Sequence, residues 1–404
     1  MRVVVLSETF AKNMGYMGSM LPKYLARQGV DVHVISMDLS PYYQLKDFNE
    51  TYGNFKSQAE NLAGTIEEFD GYKLHYLSHQ KLFGHMRMKG LPRNFLCIKP
   101  QIVQSLPSIG WIPLEAALLK PFFDYKLFTG NHNSASTFTL ANKEYVFGDI
   151  ERVKCFLTRT IHGRLVSLAT EKCYGVTKDC AEIAWKYYGV QRKKVEVMHL
   201  GVDTDHFFPV SSKSLHDERM SLRKELGFDG SDIVCIYTGK FTERKNAVIL
   251  AEAIEKLRSM GKPFRGLFIG EGVQKKLIER NSSCVVLDFM PFSQLGAYYR
   301  LSDIGIWPTN ESTSMLDAAA CGLPLIVSDG IVYRDHVEGN GLVYKMNELD
   351  DLVDTLLSLR YSAERHRLGS LGAEKMLRDF SWESVAKRRI QDYEAALNHR
   401  KTRK

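Results

Sequence analysis

The stretch from Trp307 to Pro324, W-P-T-N-E-S-T-S-M-L-D-A-A-A-C-G-L-P, admits few folds. A short apolar run (Ile304, Ile306, Trp307) stops at Pro308, a polar loop with two carboxylates follows, and Met315 to Cys321 predicts a helix closed by Gly322 and Pro324. Strand, loop, helix is the unit of an α/β sheet, where ligands bind at the loop leaving the carboxyl end of a strand. Ser312, Thr313 and Ser314 would set backbone N–H groups at a helix start suited to a diphosphate. Asp317 lies one turn in on the same side, placed to accept the hydroxyls of a ribose. The same residues also suit a plain capped helix under a sheet edge, with Ser or Thr as N-cap and Ala318 to Ala320 as close packing.

The rest of the chain repeats this alternation. Arg2 to Ser7 predicts a buried strand, Gly15 and Gly18 lie in the loop after it, and an amphipathic helix runs through Leu21 and Leu25 to a stop at Gly29. Val30 to Met37, Gly71 to Leu77 and Tyr125 to Gly130 predict further strands, with residues 38 to 70 polar and irregular between them. The G-Y-M-G loop lets the chain pass close to a ligand or makes a tight turn. His132 follows a strand's carboxyl end, a position that raises the odds of a functional role for a lone histidine, which is more often a structural hydrogen-bonder. A strand ending at Thr238, a turn at Gly239 and a helix from Ala247 put Lys240 and Lys245 beside a helix start, a pattern for clamping a diphosphate. Gly270 and Gly272 lack the third glycine of a dinucleotide fingerprint. A length of 404 residues exceeds one ordinary core, so the expectation is an α/β fold of two Rossmann-like domains.

Charge and cysteine usage narrow the classes. The net charge of +7 favours anionic partners, phosphorylated substrates or a membrane surface, and no feature calls for nucleic acid. No apolar run approaches the ~20 residues of a membrane span and Met1 to Leu6 is too short for a signal peptide, so the chain is expected in the cytoplasm. Seven scattered cysteines without C-x-x-C suggest reduced core thiols rather than zinc or disulfides. In residues 81 to 95, Lys81, Arg87, Lys89 and Arg93 interleave with Leu82, Phe83, Met86, Met88, Leu91 and Phe95. That stretch suits either an anionic bilayer, with the protein peripheral on the inner face of the membrane, or a helix with a solvated basic face.

A loop carboxylate followed by Asp317 and A-A-A-C-G-L-P resembles the nucleotide-sugar signature of the retaining GT-B glycosyltransferases of family 4, the glycosyl transferases group 1. The usual form is Glu, seven residues, Glu, then A-M-A-C-G-x-P. Here Asp317 stands for the second Glu, Thr309 is eight positions before it and Glu311 six. Lys240 to Asn246 resembles the family's G-R-x-x-x-x-K-G with lysine for arginine, and G-V-D-T-D-H-F-F-P, ending at Pro209, its inter-domain segment. This second match explains Asp203 and Asp205 as turn and linker residues rather than a D-x-D metal motif.

The resemblance implies two domains facing across a cleft: residues 1–205 on the acceptor side, completed by a C-terminal helix of about 381–399, and 206–380 binding a nucleotide sugar. It implies that the Gly15–Gly18 loop faces the donor phosphate and acceptor, that His132 points at the reacting sugar, and that the turn at Met290 meets the base through its backbone. Lys240, Lys245 and Ser312 to Ser314 would hold the diphosphate, Asp317 the ribose and Glu311 the sugar hydroxyls. The activity implied is retaining transfer from a UDP-sugar, or a GDP-sugar, to a glycan or lipid-linked acceptor in bacterial surface polysaccharide or glycoconjugate synthesis, with no cofactor and no divalent metal. The departures at Thr309, Asp317 and Lys240 keep two alternatives open, a non-catalytic nucleotide-sugar-binding subunit and a nucleotide-sugar epimerase of the same fold.

Overall fold

A computed structural model describes the chain except residues 13, 41–61, 83–84, 136–137, 142–147, 310, 332 and 402–404. The first half supplies β1 (Arg2–Ser7), β2 (Asp31–Met37), β3 (Ile66–Phe69), β4 (Tyr72–Leu77), β5 (His79–Leu82), β6 (His85–Met88), β7 (Ile102–Ser105), β8 (Lys126–Asn131), β9 (Thr170–Gly175) and β10 (Val195–Val197). Eight of these form one sheet in the order β10-β9-β8-β7-β1-β2-β4-β3, parallel except for β3 against β4. The chain runs outward from β1 on one side, then returns to continue from β7 on the other, so the strand order reverses between β1 and β7. Such a reversal leaves a crevice at the carboxyl ends of the two strands.

Side-chain alternation along β1 feeds two cores. Val3 and Val5 pack with Met20, Leu21 and Tyr24 of the helix Met17–Arg27, while Val4 and Leu6 pack with Leu91 and Phe95 of the helix Leu91–Ile98. The first of these faces is covered also by Trp382, Val385 and Tyr393 of the helix Trp382–Lys401. That helix packs back on the first half, where the resemblance implies one of about 381–399, and continues to Lys401. The three residues after it lie outside the described ones.

The second sheet, all parallel, has the order β13-β12-β11-β14-β15-β16 from β11 (Ile233–Thr238), β12 (Phe264–Ile269), β13 (Cys284–Leu287), β14 (Ile304–Trp307), β15 (Leu325–Ser328) and β16 (Gly341–Tyr344). Its reversal falls between β11 and β14, the strands that carry the two motifs singled out above. Two chain crossings join the halves and pair with each other: Val202 N–H donates to Phe380 O (2.7 Å) and Trp382 N–H to Val202 O (3.1 Å).

Residues 81 to 95 correct the sequence reading. They are not one amphipathic helix: β5 and β6 form a hairpin, and the helix Leu91–Ile98 follows. Met88, Leu91 and Phe95 are fully buried in the first half's core, and Arg87 forms a forked pair with the buried Glu115 at 3.1 and 3.2 Å. Those three apolar side chains point inward, while Leu82 and Met86 stay partly exposed beside the exposed Lys81, Lys89 and Arg93; Phe83 and Gly84 lie outside the described residues. Residues 66–69 are likewise not irregular, because Asp70 (φ 47°) and Gly71 (φ 83°) make the two-residue turn that joins β3 to β4. Of the expected core thiols, Cys97 is exposed and Cys284 half-buried.

Candidate active site

A cavity of about 500 Å³ opens between the halves. Its first wall is made where the chain leaves β1, β7 and β8: Ser7 to Thr9, Ala11 and Met14 to Ser19, then Leu106 to Ile109, and Asn131 to Asn133. Its second wall includes Asp203, Phe207, Phe292, Thr313 and Asp317, with Trp382 at the crossing. Among the expected site residues, Gly15, Gly18, His132, Thr313 and Asp317 line this one space.

Gly15 is there for two reasons. Its φ of +63° suits glycine, and a Cβ would stand 2.9 Å from the Phe292 ring, so the loop of one half touches the other through a bare Cα. Gly18 lies inside the helix Met17–Arg27, facing the Ser7 side chain. His132 is held from behind: Asn131 donates from Nδ2 to Cys180 O (2.8 Å) and accepts the Asn133 N–H at Oδ1 (3.3 Å), and Asn133 donates to the Tyr188 hydroxyl at 2.9 Å. Solvent reaches the imidazole through the cleft mouth, yet protein surrounds it otherwise. Loss of hydration and then the positive Arg389 push its pKa down, which favours the neutral ring.

Asp317 has the opposite balance. Burial and the negative Asp203 raise its pKa well above the ordinary carboxylate value, and no hydrogen bond to its side chain is found among the described residues. The side chain is partly exposed and faces the cavity, so in the resting protein the carboxylate is open to a donor that arrives through the cleft. Asp203, by contrast, is saturated: it accepts from Lys23 Nζ (2.8 Å), Tyr24 OH (2.7 Å), the Asp205 N–H (3.1 Å) and His206 Nδ1 (3.0 Å). Burial pushes its pKa up, but these donors more than offset it. Asp205 pairs with Lys23 at 3.8 Å and with Arg27. The linker reading of this pair therefore holds, and its role is larger than expected, for Asp203 ties the crossing to the helix Met17–Arg27.

The remaining expected residues lie outside the cavity lining. Lys245 donates from Nζ to Glu311 O (3.1 Å), and Thr309 Oγ1 donates to Arg244 O (2.8 Å), so the loops after β11 and β14 are bound together at the second reversal. Burial, then the neighbouring Arg244, lowers the Lys245 pKa to about 8, against the pull of Glu311. Lys240 is half-buried on the same loop, its carbonyl accepting from Tyr237 OH (3.0 Å). Ser312 and Ser314 join through their hydroxyls at 2.6 Å, and the helix Ser314–Ala320 begins without a side-chain cap, so the N-cap alternative is not what these residues do. The Met315 and Leu316 amides are already used, donating to Ser312 O and Thr313 O. Met290 packs against the second core, two residues before Phe292.

Several residues of the site were not evident in the sequence. Phe292, Asn131 and Asn133 line the cleft without a motif. Gly270 and Gly272 serve the loop after β11, since Cβ atoms there would stand 1.9 Å from Gly239 O and 2.5 Å from Phe241 O. Among the described residues no three His, Cys, Asp or Glu are grouped as metal ligands.

Residues 232–360 match the family described as Glycosyl transferases group 1. A D-inositol 3-phosphate glycosyltransferase of Rhodococcus erythropolis is 27% identical over 263 residues, 60% of this chain and 58% of that protein, so the chain spans little more than half the length of this relative. Among solved structures, a sucrose-phosphate synthase from Thermosynechococcus elongatus superposes with a TM-score of 0.69 at 15% identity, covering 98% of this chain and 99% of its own. A glycosyltransferase from Rickettsia africae does so with a TM-score of 0.68 at 12% identity, covering 98% of each. The two structural likenesses extend over both halves and establish the shared fold.

Proposed function

From the chain's place among the group 1 glycosyltransferases with the GT-B fold, we propose that it transfers a sugar from a nucleotide-diphosphate sugar to an acceptor hydroxyl with retention of configuration. The observation that carries this reading is Asp317, a partly exposed carboxylate with no side-chain hydrogen bond among the described residues, sharing one cavity with His132 across the two sheets. In this arrangement the donor's ribose hydroxyls donate to Asp317. Lys240 and Lys245 neutralise the leaving diphosphate, assisted by the backbone of Ser312, Thr313 and Ser314, and the backbone at Met290 borders the base. Such fixed charges act where negative charge develops, which is how preorganised sites lower a barrier. His132, kept neutral, accepts a hydrogen bond at the reacting centre, Glu311 meets the sugar hydroxyls, and the Gly15–Gly18 loop leaves room for the acceptor. The reading needs no divalent metal, because the two lysines supply the countercharge, Asp203 is already filled by four donors and Asp317 is given to the ribose.

The donor is a UDP-sugar, with GDP-sugars next in order, and the acceptor a glycan or lipid-linked hydroxyl. The relative named for D-inositol 3-phosphate brings phosphorylated polyols into the acceptor panel. Thermal shift with UDP, GDP and ADP tests the donor site, since a ligand at ~100 Kd adds about 2.7 kcal/mol. Sugar transfer from the labelled donor by the purified chain then separates an enzyme from a binding subunit. Stabilisation by no nucleoside diphosphate would reject the reading.

A further inference from the structure

The helical rod from Asp149 to Ala169 turns its apolar side outward, the reverse of an ordinary surface helix. Ile150, Val153, Leu157, Ile161, Leu165 and Leu168 recur at steps of three and four, and all are exposed, from 40% at Ile161 to 82% at Ile150. Three successive steps of four cross the π-turn Phe156–Thr160, whose wider turn keeps the stripe on one line. The inner face is already in use. Cys155, Gly163, Val166 and Ser167 are buried, and at Gly163 a Cβ would stand 1.7 Å from Tyr188 O. A continuous row of large apolar side chains differs from scattered single exposures and marks an interaction surface.

Charge identifies the occupant. Lys154 and Arg164 are exposed and adjoin stripe members, and the Arg164 guanidinium lies 5.7 Å over the Phe156 ring, along the row itself. The rod's acids, Asp149 and Glu151, sit at its first turn. A second copy fits poorly. The stripe is symmetric about position 159, so an antiparallel pairing that lays Leu157 on Ile161 sets Lys154 against Arg164 at both ends, like charge on like. We propose that this face docks on an anionic lipid surface, its apolar row entering the acyl boundary and its cations meeting the headgroups.

The placement gives such docking a use. The rod leans on residues that line the cleft: a Gly163 Cβ would contact Ile109 at 3.4 Å, and Arg159 stacks over Tyr188, the residue that receives the Asn133 hydrogen bond. The first wall of the cleft is therefore about one helix diameter, ~10 Å, from the lipid. Delivery of a lipid-borne acceptor rests on the proposed transferase reading, whereas the docking does not.

Sedimentation of the full chain with vesicles of phosphatidylcholine alone, or of three parts phosphatidylcholine to one part phosphatidylglycerol, tests docking without any turnover. The expected result is binding to the anionic vesicles, weakened by high salt, and reduced about tenfold or more in a Leu157→Asp, Leu165→Asp double variant. Lys154→Glu with Arg164→Glu should abolish the preference for phosphatidylglycerol. Leu157→Ser and Leu165→Ser, compared at an unchanged melting temperature, separate lost docking from lost folding. Three results would overturn the proposal: no binding by the unaltered chain, equal binding by the folded double variants, or a solution dimer that the same substitutions convert to monomer.

Discussion

Replacing Asp317 by alanine should weaken ligand binding and leave the resting protein as stable or more so. The carboxylate gives the unliganded protein no hydrogen bond among the described residues, and burial together with Asp203 raises its pKa. A raised carboxyl pKa means that the folded chain binds more protons than the unfolded chain above the unfolded value, so Asp317 lowers stability increasingly as pH rises through that window. Alanine removes this penalty. In the complex, the ionised group accepts from ribose, and a hydrogen bond to a charged group contributes roughly 1.5–3 kcal/mol, or about 10- to 150-fold in Kd. Calorimetry with whichever nucleoside diphosphate stabilises the chain, and with its 2′-deoxy analogue, measures the loss; the natural and deoxy ligands should differ for the unaltered chain and converge in Asp317→Ala. Affinity should also rise with pH through the raised pKa, because the ionised form binds. Glu311→Ala is the control, depressing transfer while diphosphate affinity stays nearly unchanged. A variant that melts earlier and binds normally would show that Asp317 serves the helix and not the ligand, and a loss confined to Glu311→Ala would show that the two carboxylates have been assigned the wrong way round.

Lys245 should make diphosphate affinity fall as pH rises above about 8, by roughly tenfold per unit until the pKa of the bound form is passed, since anion binding favours the protonated amine; a flat profile from pH 7 to 10 would remove Lys245 from the site. His132→Ala should lower kcat while donor affinity holds, and the unaltered enzyme should show no inflection near pH 6.5 from this residue, whose pKa is pushed down; unchanged kcat with a raised KM would contradict the assignment. Transfer should survive EDTA, and loss of single-turnover activity that Mg²⁺ or Mn²⁺ restores would refute the metal-free reading.

Long apolar runs with clear punctuation were legible in the sequence. The bounds of β1 and β11 and the helix start at Ala247 are as expected, because a strand buried on both faces is a continuous apolar word bounded by turn residues. The β5–β6 hairpin was misread because H-M-R-M and the residues after it satisfy a helical spacing as well as an alternating one. Asp70-Gly71 was a hairpin signal inside a stretch otherwise polar enough to read as loop. In the rod 149–169 periodicity alone would not say which side faces the core, since an apolar stripe is the same pattern inward or outward. Pairings over long separations left no local trace: Asp203 with Lys23 and Tyr24, and Arg389 with Gln104 at 2.9 Å, 285 positions away, beneath the Tyr174 ring. Such contacts exist only once both halves are in place.

The returning C-terminal helix also fixes an order of events during synthesis. The second core draws its residues from Val202 to Phe380 and can close as soon as that segment leaves the ribosome. The first sheet has its central strand β7 by Ser105, but Trp382, Arg389 and Tyr393, which cover one of its faces, are made last. At about 5–20 residues per second that face waits on the order of 15–60 s in the open, holding Val3, Val5 and Phe128 without their cover. The half made first is therefore the half finished last, and the nascent chain is at its most adhesive while its younger half is already folded.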